Sequence, residues 1–134
     1  MRGTKPELRT DPDAIDSLPP PAWMTPEAAQ EWRRIMPILT ERRILTDADL
    51  GSVENYCMAI GTVRQMEEHL QTHGHIIEDI EGRMKRNPAV GIQSDAMTRS
   101  RLLAAELGLT PVSRSRPAIR EDADDDGDDP LDLS

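Results

Sequence analysis

A helix that carries its own start and stop signals leaves a chain few ways to fold, and here the last such helix is marked at both ends. Asn87 offers a capping side chain, and Pro88 suits the first helical position because its missing N–H would have had no partner there. Ala89, Ile92, Ala96, Ser100, Leu103 and Leu107 then recur at spacings of three and four, one stripe of a helix. Gly108 fits the left-handed position past a helix end, Leu109 fits the apolar contact back onto the last turn, and Pro111 forbids continuation.

Two earlier helices carry similar signals. Thr25-Pro26-Glu27 is a cap, a first-position proline and an acid suited to the positive end of a helix. Ala28, Trp32, Ile35, Met36 and Leu39 follow as a stripe, and Pro37 is expected to kink the helix or end its regular part near Met36. Thr46-Asp47-Ala48-Asp49 reads as a capping pattern that opens a longer helix to about Thr72, with Leu50, Val53, Cys57, Ile60, Val63, Met66 and Leu70 on one side. Gly61 weakens that helix by about 1 kcal/mol relative to alanine and can mark a close neighbouring helix. Between the long helices, His75-Ile76-Ile77 and Met84-Lys85-Arg86 flank an acidic turn with Gly82, the pattern of a short β-hairpin. The expected fold is therefore mainly α: a short N-terminal helix leading into a long antiparallel helical hairpin with a small β-hairpin. Its wide apolar and small-residue faces suit packing against neighbouring subunits.

Composition adds a reason to associate. Phe is absent, and the only aromatic residues are Trp23, Trp32 and Tyr56. Residues 1–24, with their proline run, read as a flexible arm, and residues 113–134 as a basic-then-acidic disordered tail. That leaves a helical body at 25–112, about 90 residues, where one core is only marginally stabilising. The net charge of −9 is also unevenly spread. Residues 1–120 stand at −1, and Glu121–Ser134 hold eight acids and no base. The low overall pI therefore does not exclude nucleic acid as a partner of the body. With one cysteine, no intrachain disulfide is possible, and no apolar run reaches membrane-spanning length.

Three patterns suggest catalytic or metal chemistry and are better explained otherwise. His69, His73 and His75 approach zinc spacing, but no HExxH pattern is present and the helix ends there; exposed histidines at a helix terminus account for them. Asp122, Asp124, Asp126 and Gly127 begin like a calcium loop, yet Leu133 stands where the bidentate glutamate is needed. Cys57 lies on an apolar stripe with no activating partner and reads as a core residue. Trp32 reads as a core anchor, and Trp23 as a side chain available to a neighbour. No phosphate-binding GxxxxGK[ST] loop and no clustered carboxylates are present, so neither ATP hydrolysis nor two-metal nuclease chemistry is expected, and no cofactor.

The order of these pieces resembles the small subunit of the terminase of tailed bacteriophages, over roughly residues 19–116. The Pro-rich entry is followed by "EAAQEWRRIMPIL", the Leu45-Thr46-Asp47-Ala48-Asp49 helix start, the Tyr56-Cys57 centre, the Asn87-Pro88 start and the "LAAELGLTP" ending with Arg114 and Arg116. The resemblance implies a mainly helical subunit that assembles as a ring, binds double-stranded viral DNA when packaging begins, and delivers it to the large terminase subunit in the host cytoplasm. It also implies regulation of that subunit, which holds the ATPase and nuclease. The resemblance carries no DNA-contacting residue to a position in this chain.

Charge and expected exposure point instead to Arg33, Arg34, Arg42, Arg43, Lys85, Arg86, Arg114 and Arg116 as DNA contacts. Taken singly, each pair is equally well an ordinary solvated face, with Glu31, Glu41 and Glu81 nearby. Two other classes remain open: a small helix-turn-helix DNA-binding regulator built on the first helix and the start of the second, and a helical adaptor that does not touch DNA. The acidic tail has two uses beyond solubility: covering the protein's own basic surface, or docking on a basic partner. If it competes with DNA, removing residues 121–134 should tighten non-specific DNA binding at low salt, measured by titration against the full chain. Unchanged affinity would leave the tail no such role.

Overall fold

Three capped helices and one short hairpin account for nearly all of the regular structure in the computed structural model, which describes residues 14–43 and 45–111. The elements are α1 (Pro26–Glu41), a 3-10 turn (Asp47–Asp49), α2 (Leu50–His73), β1 (Ile76–Glu78), β2 (Met84–Arg86) and α3 (Pro88–Glu106). The tail expected at 113–134 and the first 13 residues of the expected arm lie outside the described residues.

Thr25 caps α1 as expected, its hydroxyl accepting from the Ala28 N–H at 3.3 Å. The helix does not end at Met36: it runs through Pro37 to Glu41. A proline inside a helix costs about 3 kcal/mol. Trp32, Ile35, Met36 and Leu39 are all buried on the stripe that spans it, and each buried side chain of that size contributes roughly 1.5–3 kcal/mol. Burial on both sides of Pro37 therefore outweighs the lost hydrogen bond.

The second helix opens with a 3-10 turn rather than directly as an α-helix. Asp49 accepts from both the N–H (2.9 Å) and the hydroxyl (3.1 Å) of Thr46, which closes the capping box. Where α1 crosses α2, Gly61 lies against Ala28. A Cβ at position 61 would sit 3.0 Å from the Ala28 nitrogen and 3.1 Å from its Cβ, so the close approach expected of this glycine is present. Gly74, at φ 88°, ends α2.

The hairpin expected from sequence forms, with Ile76 paired to Arg86, Ile77 to Lys85 and Glu78 to Met84. Its turn is held by the Asp79 carboxylate, which accepts from the N–H groups of Glu81 (2.9 Å) and Arg83 (2.8 Å). Asn87 then fastens the hairpin to the helices. Its side chain accepts from the Ala89 N–H and donates to the Gly74 carbonyl, both at 2.9 Å, while its own N–H donates to the His75 carbonyl. At the far end of α3, Gly108 takes φ 70° and the Leu109 N–H donates to the Ala104 carbonyl at 2.8 Å.

The buried face of α3 differs from the expected stripe. Ala89, Gln93, Ala96, Ser100 and Ala104 face inward, and Ile92 is 47% exposed. Small side chains let α3 approach α2 closely, and the Gln93 amide donates to the Val63 carbonyl and the Glu67 carboxylate across the seam. This face is therefore used within the chain and does not await a neighbouring subunit.

The core lies at the α1 end, where Met24, Trp32, Ile35, Met36, Leu39, Leu45, Val53, Tyr56 and Cys57 gather with Ala104. Trp32 is its anchor and donates from its indole to the Leu18 carbonyl at 2.8 Å, while Trp23 is 61% exposed. The Ile15 N–H donates to the Leu45 carbonyl, so part of the Pro-rich entry lies along the helices.

Gly61→Ala should lower stability by about 1–2 kcal/mol. Overpacking against the backbone of α1 costs roughly 1–3 kcal/mol, and the gain in helix propensity returns at most about 1 kcal/mol. Urea unfolding of the two proteins would measure it; a higher midpoint for the variant would show that α1 yields at this crossing.

Candidate nucleic-acid interface

The arginine pairs are divided between structural and solvent-facing roles. Arg34 is held by Glu31 through two hydrogen bonds of 2.9 and 2.6 Å, one turn back on α1. Arg64 reaches the same carboxylate from α2 at 3.1 Å, and the Tyr56 hydroxyl donates to it at 2.6 Å. Glu31 is only 1% exposed, so its side chain is a buried charge neutralised from three directions. Burial alone would push its carboxyl upward, but hydrogen bonds from Arg34 and Tyr56 and the two guanidinium charges bring it below the ordinary carboxylate range. The Tyr56 phenol is raised to about 12, by burial first and by its bond to Glu31.

Sequence reading missed this cluster, because its partners lie 25 and 33 residues from Glu31. The signal present was local only: Glu31 and Arg34 stand three apart on one helix.

Arg42 is also engaged. Its guanidinium donates to the Gly108 carbonyl at 2.6 Å, satisfying the end of α3. Arg33 and Arg43 are exposed, and Arg43 adopts a positive φ of 54°. Lys85 and Arg86 are exposed on β2. The neighbouring Arg83 is tied to Asp79 and Glu81. Arg99 and Arg101 add exposed positive charge on α3 that sequence reading did not select. Arg114 and Arg116 lie outside the described residues.

The candidates do not form one patch. Arg42 and Arg43 precede α2 and the hairpin follows it, and the 24 residues of α2 span about 36 Å. The Arg42–Gly108 bond brings Arg43 to the end of the body from which the chain continues toward Arg114 and Arg116. The described residues carry ten Lys and Arg against fourteen Asp and Glu, a balance of −4. Attraction to phosphate must therefore be local to one end.

The family model described as phage terminase, small subunit matches residues 28–124. The chain belongs to that family. Membership supports a role in phage packaging, and the match spans α1 from its third residue, α2, the hairpin, α3 and the chain beyond it. No curated protein and no solved structure matches.

Other chemistry finds little footing in this small terminase subunit. Among the described residues no group of three or more His, Cys, Asp or Glu is placed to hold a metal ion. The His69 and His73 rings lie 4.4 Å apart, tilted by 40°, and both residues are exposed. The calcium-like stretch at Asp122 lies outside the described residues. Cys57 is buried, and burial, with the nearby Glu31 charge, raises its thiol to about 12, so thiolate is scarce at neutral pH. No helix among the described residues is long and apolar enough to cross a membrane.

The Glu31 cluster sets an acid limit on the fold. Its carboxyl is depressed in the folded state, so the stabilisation is full above the ordinary value of 4.5 and is lost as pH falls from there through the folded value. Glu31→Gln should flatten this part of the stability–pH profile. It should also cost about 1–3 kcal/mol at pH 7, because the buried tyrosine and arginine donors lose a charged acceptor. Thermal unfolding between pH 3 and 7 reads both effects, and a variant that keeps the wild-type slope would place the acid sensitivity elsewhere.

Proposed function

We propose that this subunit assembles as a homo-oligomeric ring in the host cytoplasm and binds double-stranded viral DNA when packaging begins. It delivers that DNA to the large terminase subunit and regulates its ATPase and nuclease, performing no catalysis itself. The family match over residues 28–124 carries the reading. The structure adds support: a core concentrated at the α1 end leaves the distal half of the α2–α3 pair with few large buried side chains, a surface that association would complete.

The DNA contacts are assigned to the end of the body that carries Arg43, together with Arg33, Arg114 and Arg116. Each subunit contributes modest charge, and repetition around a ring sums it into a field strong enough to hold a polyanion despite an acidic body. Arg34 and Arg42 serve chiefly as structural partners of Glu31 and Gly108.

The −4 balance of the described residues favours one competing reading, an adaptor that contacts proteins and leaves DNA alone. Native mass and salt-dependent DNA binding separate the two. A ring whose DNA affinity falls steeply with salt supports the packaging role; a ring with no salt-dependent DNA binding supports the adaptor; a dimer on one palindromic site would favour a helix-turn-helix regulator.

Arg43→Ala should weaken DNA binding and reduce the slope of log K against log salt, by about 0.9 for each phosphate contact removed, with assembly unchanged. Arg42→Ala should act differently, lowering the melting temperature through the loss of the Gly108 cap. Titrations at several salt concentrations, beside melting curves, distinguish them. Equal behaviour of the two variants would overturn this division of roles.

A further inference from the structure

The Pro-rich entry leaves a groove where it lies along α1. Residues 17–20 and the side chains of Trp32, Arg33, Met36 and Pro37 enclose about 340 Å³, within the range of pockets that take a small ligand. The floor is apolar and buried, Trp32 being 2% and Met36 1% exposed. The opposite wall is tied down: the Trp32 indole donates to the Leu18 carbonyl, and the Ile15 N–H to the Leu45 carbonyl. Leu18, 40% exposed, stands in that wall. Arg33 is exposed and is the one charged side chain among the lining residues. An apolar floor beside a cation fits a segment that mixes apolar and acidic residues.

The chain carries such a segment at its end. Residues 129–134 read Asp-Pro-Leu-Asp-Leu-Ser, and Leu131 and Leu133 are the only large apolar side chains after Glu121. The eight acids of residues 121–134 accompany them without a base. A tail that serves only to solubilise needs no leucines, and in extended form these two share one side.

The groove is also within reach. Pro37 stands five residues before Arg42, about 7.5 Å along α1. Arg42 is bonded to the Gly108 carbonyl, and the described body ends three residues later at Pro111. The tail therefore departs from the end of the molecule that bears the groove. Leu131 lies twenty residues beyond Pro111, and a coil of that length has an r.m.s. span of about 22–27 Å. Tethering over such a span gives an effective concentration on the order of 1 mM, so even weak docking is populated. The groove lined by Leu39 and Leu45 is bordered by Asp49 and Glu106, which repel an acidic segment. The groove between α2 and α3 has a cation in Arg99 but a more polar lining, with Asn55 and Thr62.

We infer that residues 129–134 dock in the groove beneath the Pro-rich entry of their own chain, with Leu131 and Leu133 against Trp32 and Met36 and the adjoining acids toward Arg33. The docked segment occupies Arg33 and holds a polyanion at the end of the body that carries Arg43, where it excludes DNA until it is displaced. The docking stands on the groove and the tail; the exclusion of DNA rests on the proposed function.

The test uses the full chain with Ser17→Cys and Leu131→Cys together; the native Cys57 is buried. Mild oxidation at low salt should close an intrachain disulfide, seen as a faster band on a non-reducing denaturing gel. Moving the first cysteine to the rival groove, with Asn55→Cys in place of Ser17→Cys, should slow closure about tenfold. Adding Arg33→Glu to the first pair should slow it as well. Equal rates from positions 17 and 55 would overturn the docking, and covalent multimers in place of the faster band would give the groove to a neighbouring copy's tail and overturn the intrachain assignment. Leu131→Asp with Leu133→Asp, both beyond the described body, should tighten non-specific DNA binding at low salt about two- to tenfold, by releasing the chains that docking closes. A tail acting by charge alone would do the reverse, since the substitutions add two acids. Unchanged or weaker DNA binding would therefore overturn exclusion by docking. A chain that traps its tail yet binds no DNA would overturn the DNA reading and leave the docking intact.

Discussion

Glu31 is the point on which the packing of α1 against α2 turns. A carboxylate with 1% exposure is tolerable only when hydrogen-bond donors and positive charge surround it, and here they come from two helices: Arg34 on α1, Arg64 and the neutral Tyr56 hydroxyl on α2. Such a cluster adds little net stability over an apolar filling of the same shape, but it is intolerant of misalignment. Sliding α1 by one turn would strand a buried charge. Three residues before Glu31, Ala28 meets Gly61 at near-minimal separation. The same crossing is thus defined by a tight steric contact at Gly61 and by the hydrogen bonds and ion pairs that converge on Glu31.

The consequence is a molecule with two unlike ends. At the α1 end, Trp32, Ile35, Met36, Leu39, Val53 and Cys57 form a core, and the Arg42–Gly108 bond closes it against the end of α3. Beyond Gly61, α2 and α3 have mainly each other. Their seam is built of alanine, serine and the Gln93 amide, which permits close approach but buries little apolar area. The hairpin prolongs this thin arm and carries the exposed isoleucines and methionine. The large buried side chains are therefore concentrated at one end, while exposed apolar side chains stand on the hairpin, on α3 and at Trp23.

How much of this could be read from the sequence depends on the range of the interaction. Helix boundaries were legible because their causes are local: Thr25-Pro26, Asn87-Pro88 and Gly108-Leu109 act within five residues, and each does in the structure what its type demands. At Pro37 the expected end of the regular helix near Met36 does not occur, because the local penalty is outweighed by burial on both sides of the proline. On α3 the expected stripe holds at Ala89, Ala96 and Ser100 and departs at Ile92, because hydrophobicity ranks Ile92 above Gln93, whereas a close helix seam ranks by size and by hydrogen bonds across it. The Glu31 cluster left only the Glu31–Arg34 spacing as a local sign, its other partners standing 25 and 33 residues away.

The same distinction governs the candidate interface. Sequence presents the arginine pairs as equivalent, yet one arginine of each of the first two pairs is bonded within the fold: Arg34, still largely exposed, to Glu31, and Arg42 to Gly108. The doublet is thus a recurring device in which the anchored member holds the helix in place and the solvent-facing member is presented from a fixed position. Immobilised charges lose less conformational freedom on contact than long, unanchored side chains do. The backbone of Arg43 is set by a turn whose neighbour caps α3, whereas Lys85 stands on a two-stranded ribbon with both edges open among the described residues.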